Sequence, residues 1–106
     1  MSEVHAFFNV IHLPEDKVEE SLEGWKAVGR YMEGQKGFLG STLFQNRRDP
    51  LMLINCGKYE TQELFMASVQ SEEFQALSQV LTDLGVERTA GLYDAVHTFG
   101  NEPPTV

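Results

Sequence analysis

Apolar positions change their spacing along this chain, and the changes mark its elements. Val4 to Ile11 is almost wholly strand-compatible, and Pro14 closes the run. Val18, Leu22, Trp25, Gly29 and Met32 then recur at helical spacing, while Glu19, Glu20, Glu23 and Lys26 lie on other faces. This predicts an amphipathic helix of about four or five turns. Glu15 and Asp16 are expected in its first turn, where negative charge suits the helix dipole. Gly34 and Gly37 end it. Phe38 to Asn46 reads as a second strand, Arg47-Arg48-Asp49-Pro50 as a turn, and Leu51 to Tyr59 as a third strand, hence an antiparallel hairpin. Thr61 is the N-cap of a second helix carrying Leu64, Phe65 and Val69. Ser71-Glu72-Glu73 reads as a fresh cap, so this helix breaks or kinks before Phe74, Leu77, Val80, Leu81 and Leu84, and Gly85 stops it. Arg88 to Phe99 reads as the last strand.

The order βαββαβ predicts an α+β, ferredoxin-like domain: a four-stranded antiparallel sheet with two helices on one face. It occupies residues 1–100 as one domain, with 101–106 as a loose C-terminal tail. Strand 1 is apolar on both sides, with Val4, Ala6, Phe8 and Val10 against Phe7, Asn9 and Ile11. A strand apolar on both sides is buried on both sides. The helices cover only one face, so a second copy is expected on the other, making a homodimer.

Two strands carry an amide where something apolar is expected, at Asn9 and Asn55. A buried amide without partners destabilises a fold by roughly 1–3 kcal/mol. Two of them suggest a polar spot in an apolar pocket, the usual make-up of a small-molecule site. The alternative is that each caps a strand end or faces water. Asn55 and Tyr59 are four apart and share a strand face with Leu51, Leu53 and Gly57. Gly57 either lets a flat ligand approach the backbone or marks a bulge.

Composition narrows the function classes. The formal net charge of −8 argues against binding nucleic acid or an anionic membrane, since both need a basic footprint. The single cysteine, Cys56, forms no internal disulfide, fits a reducing compartment, and reads as inert core packing. No signal peptide and no bilayer-length apolar run are visible, so a cytoplasmic location is expected. His5, His12 and His97 have no ligand spacing, and no metal site is expected. His97 is a candidate general base, because its titration range suits proton abstraction near neutrality.

From about residue 4 to 99 the chain resembles the antibiotic biosynthesis monooxygenase superfamily, small dimeric α/β-barrel proteins. The matching pieces are Trp25, Lys36-Gly37-Phe38-Leu39, Tyr59-Glu60-Thr61-Gln62-Glu63-Leu64-Phe65 and Ser71-Glu72-Glu73-Phe74. Members of the anthrone-oxidising type use no metal, flavin or haem. They are similar to this chain in a strand 1 asparagine, here Asn9, and in an Asn-x-x-x-aromatic pattern on strand 3, here Asn55 and Tyr59. Tyr59 departs from their usual tryptophan, and Lys36 from the usual proline. A haem-degrading branch shares Asn9 but needs a histidine on the second helix, where Ser78 best matches the position. No histidine lies on that helix, so that route is not expected.

The resemblance implies a cofactor-independent monooxygenase that oxidises a small hydroquinone-, anthrone- or polyketide-like compound with dioxygen. Asn9 and Asn55 would hydrogen-bond the developing oxyanion, Tyr59 would orient the ring or relay a proton, and Phe7, Trp25 and Phe65 would line the pocket. The competing class is a non-enzymatic dimer that binds a small apolar ligand on the same scaffold, since one fold hosts many activities.

Overall fold

Alternating burial along the strands builds the sheet first. A computed structural model describes residues 5–101. Strands β1 (His5–His12), β2 (Phe38–Gln45), β3 (Met52–Tyr59) and β4 (Glu87–Tyr93) form one sheet in the order β2-β3-β1-β4, with every neighbouring pair antiparallel. Helices α1 (Val18–Glu33), α2 (Gln62–Val69) and α3 (Glu72–Leu84) complete an α+β, ferredoxin-like fold. The expected second helix is two helices. Thr61 caps α2 by accepting from the Leu64 N–H at 3.1 Å, and Ser71 caps α3 by accepting from the Phe74 N–H at 3.1 Å. Each hydroxyl satisfies an amide that the first turn leaves unpaired. Val4 and residues 102–106, read as the start of strand 1 and most of the tail, lie outside the described residues.

Two element ends differ from expectation. Glu15 and Asp16 form a turn ahead of α1 rather than its first turn, and Lys17 is the N-cap. The Lys17 amide is held by the Pro14 carbonyl at 3.2 Å, which leaves Glu19 and Glu20 as the acidic first turn. The last strand ends at Tyr93 instead of Phe99. Tyr93 pairs with Ala6, and no residue after it pairs with a described residue of β1. Residues 94–101 are irregular and exposed, with Val96 and Phe99 in solvent.

The core lies between the sheet and the helices. Phe7 and Ile11 of β1 and Leu53 and Tyr59 of β3 point inward against Val28 and Met32 of α1 and Leu81 of α3. Helices α1 and α3 approach closely at Gly24, where a Cβ would come within 2.9 Å of the Leu81 side chain. Arg88 points to the same side of β4 and ties it to α3. Its guanidinium donates to the Ser78 carbonyl at 3.2 Å, and to the Ser78 and Thr82 hydroxyls at 3.0 Å each. Burial lowers its pKa.

Among the described residues, no helix covers the opposite sheet face. Phe44, Ile54 and Tyr93 are exposed there, with the Phe8 ring edge-on to Tyr93 at 5.1 Å. Among the described residues, no helix is long and apolar enough to cross a membrane.

Candidate functional site

Register brings the two unusual amides together. Asn9 of β1 and Asn55 of β3 are direct cross-strand partners, so their side chains stand next to each other on the inner face. Neither caps a strand end. Asn55 is buried, and the Oδ1 of Asn9 is buried without a hydrogen-bond partner among the described residues. Natural folds rarely leave such an acceptor empty, and both amides line a cavity.

That cavity lies between the sheet and the helices, with about 80 Å³ open to the centres of water molecules. A single water needs roughly 10–15 Å³ on that measure, so the space accepts a small ring. Trp25, Gly29 and Met32, one apolar stripe of α1, form its roof, and Phe65, Val69 and Phe74 close it from α2 and α3. Phe7, Trp25 and Phe65, the three expected pocket residues, all line it. Among the described residues, its lining includes amides and one hydroxyl, Ser41, but no carboxylate, histidine, lysine or arginine.

Tyr59 stands behind this wall. It is fully buried, and its hydroxyl donates to the Ser68 Oγ at 3.0 Å. Its ring meets those of Phe7, Phe38 and Phe65 at centroid distances of 5.8, 5.6 and 5.3 Å, and each of those three lines the cavity. Tyr59 shares the Asn55 side of β3, yet Phe7 and Phe65 intervene before it can reach a ligand. Burial pushes its hydroxyl above the ordinary tyrosine range, which opposes a proton relay. It packs against the phenyl rings that line the cavity.

His97 is elsewhere. It lies on the irregular stretch after β4, exposed, with its ring stacked on Phe99 at 4.3 Å, and it does not line the cavity. Among the described residues, no group of three His, Cys, Asp or Glu side chains converges as a metal site.

Gly57 is neither a bulge nor a landing for ligand. The β1–β3 register is continuous through it, and a Cβ there would overlap the Phe7 ring at 2.1 Å. The ring of Phe7 fills the space a side chain would take. Cys56, next to it, points to the other face, and burial raises its thiol pKa.

Ser41 joins the site unannounced. A register shift between Phe38 and Gly40 inserts one residue into β2, with Gly40 at φ +145°. This reverses the facing of everything after it, so Ser41 pairs with Gly57 and turns inward. The signal in the sequence was the glycine at 40, since a positive φ of this kind is uncommon for other residues.

The fold is shared with several proteins of known structure. SnoaB, a cofactor-independent oxygenase from Streptomyces nogalater, superposes with a TM-score of 0.82 at 18% identity, over 94% of this chain and 100% of that one. A proposed monooxygenase from Shewanella loihica PV-4 gives a TM-score of 0.72 at 27% identity, over 92% of this chain and 99% of that one. A proposed antibiotic biosynthesis monooxygenase from Nitrosomonas europaea gives 0.77 at 15% identity, over 94% and 97%. No curated protein matches the sequence. The antibiotic biosynthesis monooxygenase family matches residues 4–80, and the chain belongs to that family.

Proposed function

We propose that this protein is a cofactor-independent monooxygenase that oxidises a small, electron-rich hydroxyarene with dioxygen. The observation that carries this reading is the Asn9–Asn55 pair in an apolar cavity, with one buried acceptor left open. The side-chain amides of Asn9 and Asn55 are the hydrogen-bonding groups that a ring hydroxyl meets on binding. Once that hydroxyl ionises, the amide N–H groups of Asn9 and Asn55 stabilise the oxyanion. The anion passes one electron to dioxygen, the resulting superoxide and substrate radical combine to form a C–O bond, and the peroxide anion so formed takes up a proton from solvent. Loss of the C–H proton from that carbon then expels hydroxide from the peroxide, leaving a carbonyl and, after protonation, water. One oxygen atom enters the product and the other leaves in water.

Among the described residues, the cavity lining supplies no titratable base. The first proton therefore leaves to solvent, and the rate follows the acidity of the substrate itself. That same feature favours the second reading, a dimeric carrier that binds a small hydroxyarene without turning it over.

Oxygen uptake by metal-free protein separates the two. With dihydroxybenzenes and anthrones as a panel, the monooxygenase is expected to exceed the spontaneous rate. Asn55→Ala is expected to lower the rate by about tenfold or more, the loss typical of an important oxyanion donor. Uptake at the spontaneous rate across the panel, with ligand still bound, points to the carrier.

The assembly belongs to the same proposal. A second copy covers the bare sheet face at Phe44, Ile54 and Tyr93, because an apolar patch of this kind is seldom left in water. Cytoplasmic location accords with the lone Cys56.

A further inference from the structure

The cavity does not end at α1. Outside it, between α1 and the start of β2, runs an open groove of about 450 Å³ on the same measure. Gly29, Phe38 and Ser41 line both spaces. Gly29 is the threshold: a Cβ built on it meets no atom within 4 Å. A glycine inside a helix costs about 1 kcal/mol relative to alanine, and packing does not account for this one. It leaves free space on the side of α1 where cavity and groove share lining residues.

The groove also differs in charge from the molecule around it. The chain carries −8 overall, yet the groove presents Lys26 and Arg30 against Glu33 alone. Lys26 is held by Glu23 across one helical turn at 3.1 Å. Arg30 has no ion pair or hydrogen-bond partner among the described residues. It is one residue beyond the threshold, on the groove side, and it does not line the inner cavity. A planar guanidinium facing open space suits a carboxylate, which it can bind through two parallel hydrogen bonds.

We propose that the groove is the mouth of the site and that Arg30 selects substrates carrying a carboxylate beyond the reacting ring. The ring enters past Gly29 to the amide pair, and the carboxylate stays in the groove on Arg30, with Lys26 adding to the local positive field. This rests on the reading of the cavity as a substrate site, and it adds the chemical class of the substrate: an acidic hydroxyarene.

Trp25 lines the cavity and is the sole tryptophan, so its fluorescence reports binding without turnover. The probes are 2,5-dihydroxyphenylacetate and its uncharged methyl ester, titrated without oxygen. The acid is expected to bind about fivefold more tightly than the ester, the scale of one well-placed charge pair near the surface. Added salt should narrow the difference. Arg30→Gln should bring the ratio close to one, and Gly29→Leu should weaken both probes while the fold keeps its thermal stability. Equal binding of acid and ester, a preference that survives Arg30→Gln, or full affinity in Gly29→Leu would each overturn the proposal. No response to either probe overturns it together with the reading of the cavity. A carboxylate preference without oxygen uptake supports the mouth and removes only the monooxygenase.

Discussion

Asn9 carries a conflict between stability and use. Its buried Oδ1 has no partner, and an acceptor in that state costs roughly 1–3 kcal/mol. Leucine has nearly the same shape and no polar atoms. Asn9→Leu is therefore expected to raise the unfolding free energy by about 1 kcal/mol in chemical denaturation, since removing an unsatisfied group relieves its desolvation. Oxygen uptake in the same variant should fall. If Asn9→Leu is instead less stable than the parent, the amide is satisfied in solution and the cavity loses its open acceptor. That Asn9 and Asn55 were exceptional could be read from their strands, because amides stand out among β-branched and aromatic neighbours. That they face each other could not, because cross-strand register is fixed by the packed sheet.

Between elements, Tyr59 is the tie that matters most. Its hydroxyl reaches from β3 to Ser68 on α2, and Ser68 donates in turn to the Leu64 carbonyl at 3.0 Å. Tyr31 of α1 donates to the Ser68 carbonyl at 3.2 Å and also bonds the Ser71 hydroxyl that caps α3. The junction of α2 and α3 is thus fastened to both the sheet and α1. Tyr59→Phe should cost about 1 kcal/mol, the usual net loss for one hydrogen bond, and should lower oxygen uptake less than Asn55→Ala does. The pH dependence has a definite sign. Burial raises the folded-state pKa of Tyr59, so its contribution is complete below the unfolded tyrosine value of about 10 and is lost as pH rises through the folded value. Alkaline unfolding followed by circular dichroism should therefore be less steep in Tyr59→Phe. The two-part helix was legible because Thr61 and Ser71 are both good caps. The inward turn of Ser41 was not, because one inserted residue in β2 reverses every count made from Phe38. The depth of Tyr59 was hidden for a related reason: strand parity says which face a residue takes, not how many side chains lie above it.

For the whole molecule, the proposed assembly rests on the sheet face that no described helix covers. Ile54 is 36% exposed and Phe44 is 54% exposed on adjacent strands, where they are direct partners. A charge there is well solvated in a monomer and poorly tolerated in a packed interface. Ile54→Glu is expected to shift sedimentation velocity from a dimer to a monomer while leaving the far-ultraviolet circular dichroism in place. A parent protein that already sediments as a monomer would remove the second copy from the proposal. The apolar character of both sides of strand 1 was legible from its residues alone. The short final strand was not, because strand-compatible residues such as Val96 and Phe99 continue past Tyr93, and composition does not show where pairing stops.

The Phe7 ring rests in the space that glycine leaves at position 57. Cavity size is thus controlled from behind the wall. Any side chain at 57 would displace that ring, which lines the cavity, and so alter the room inside without touching a ligand. Homologues could grade the bulk of the molecules they admit by exchanging one residue that never meets those molecules. A search for specificity determinants confined to the lining would pass over it.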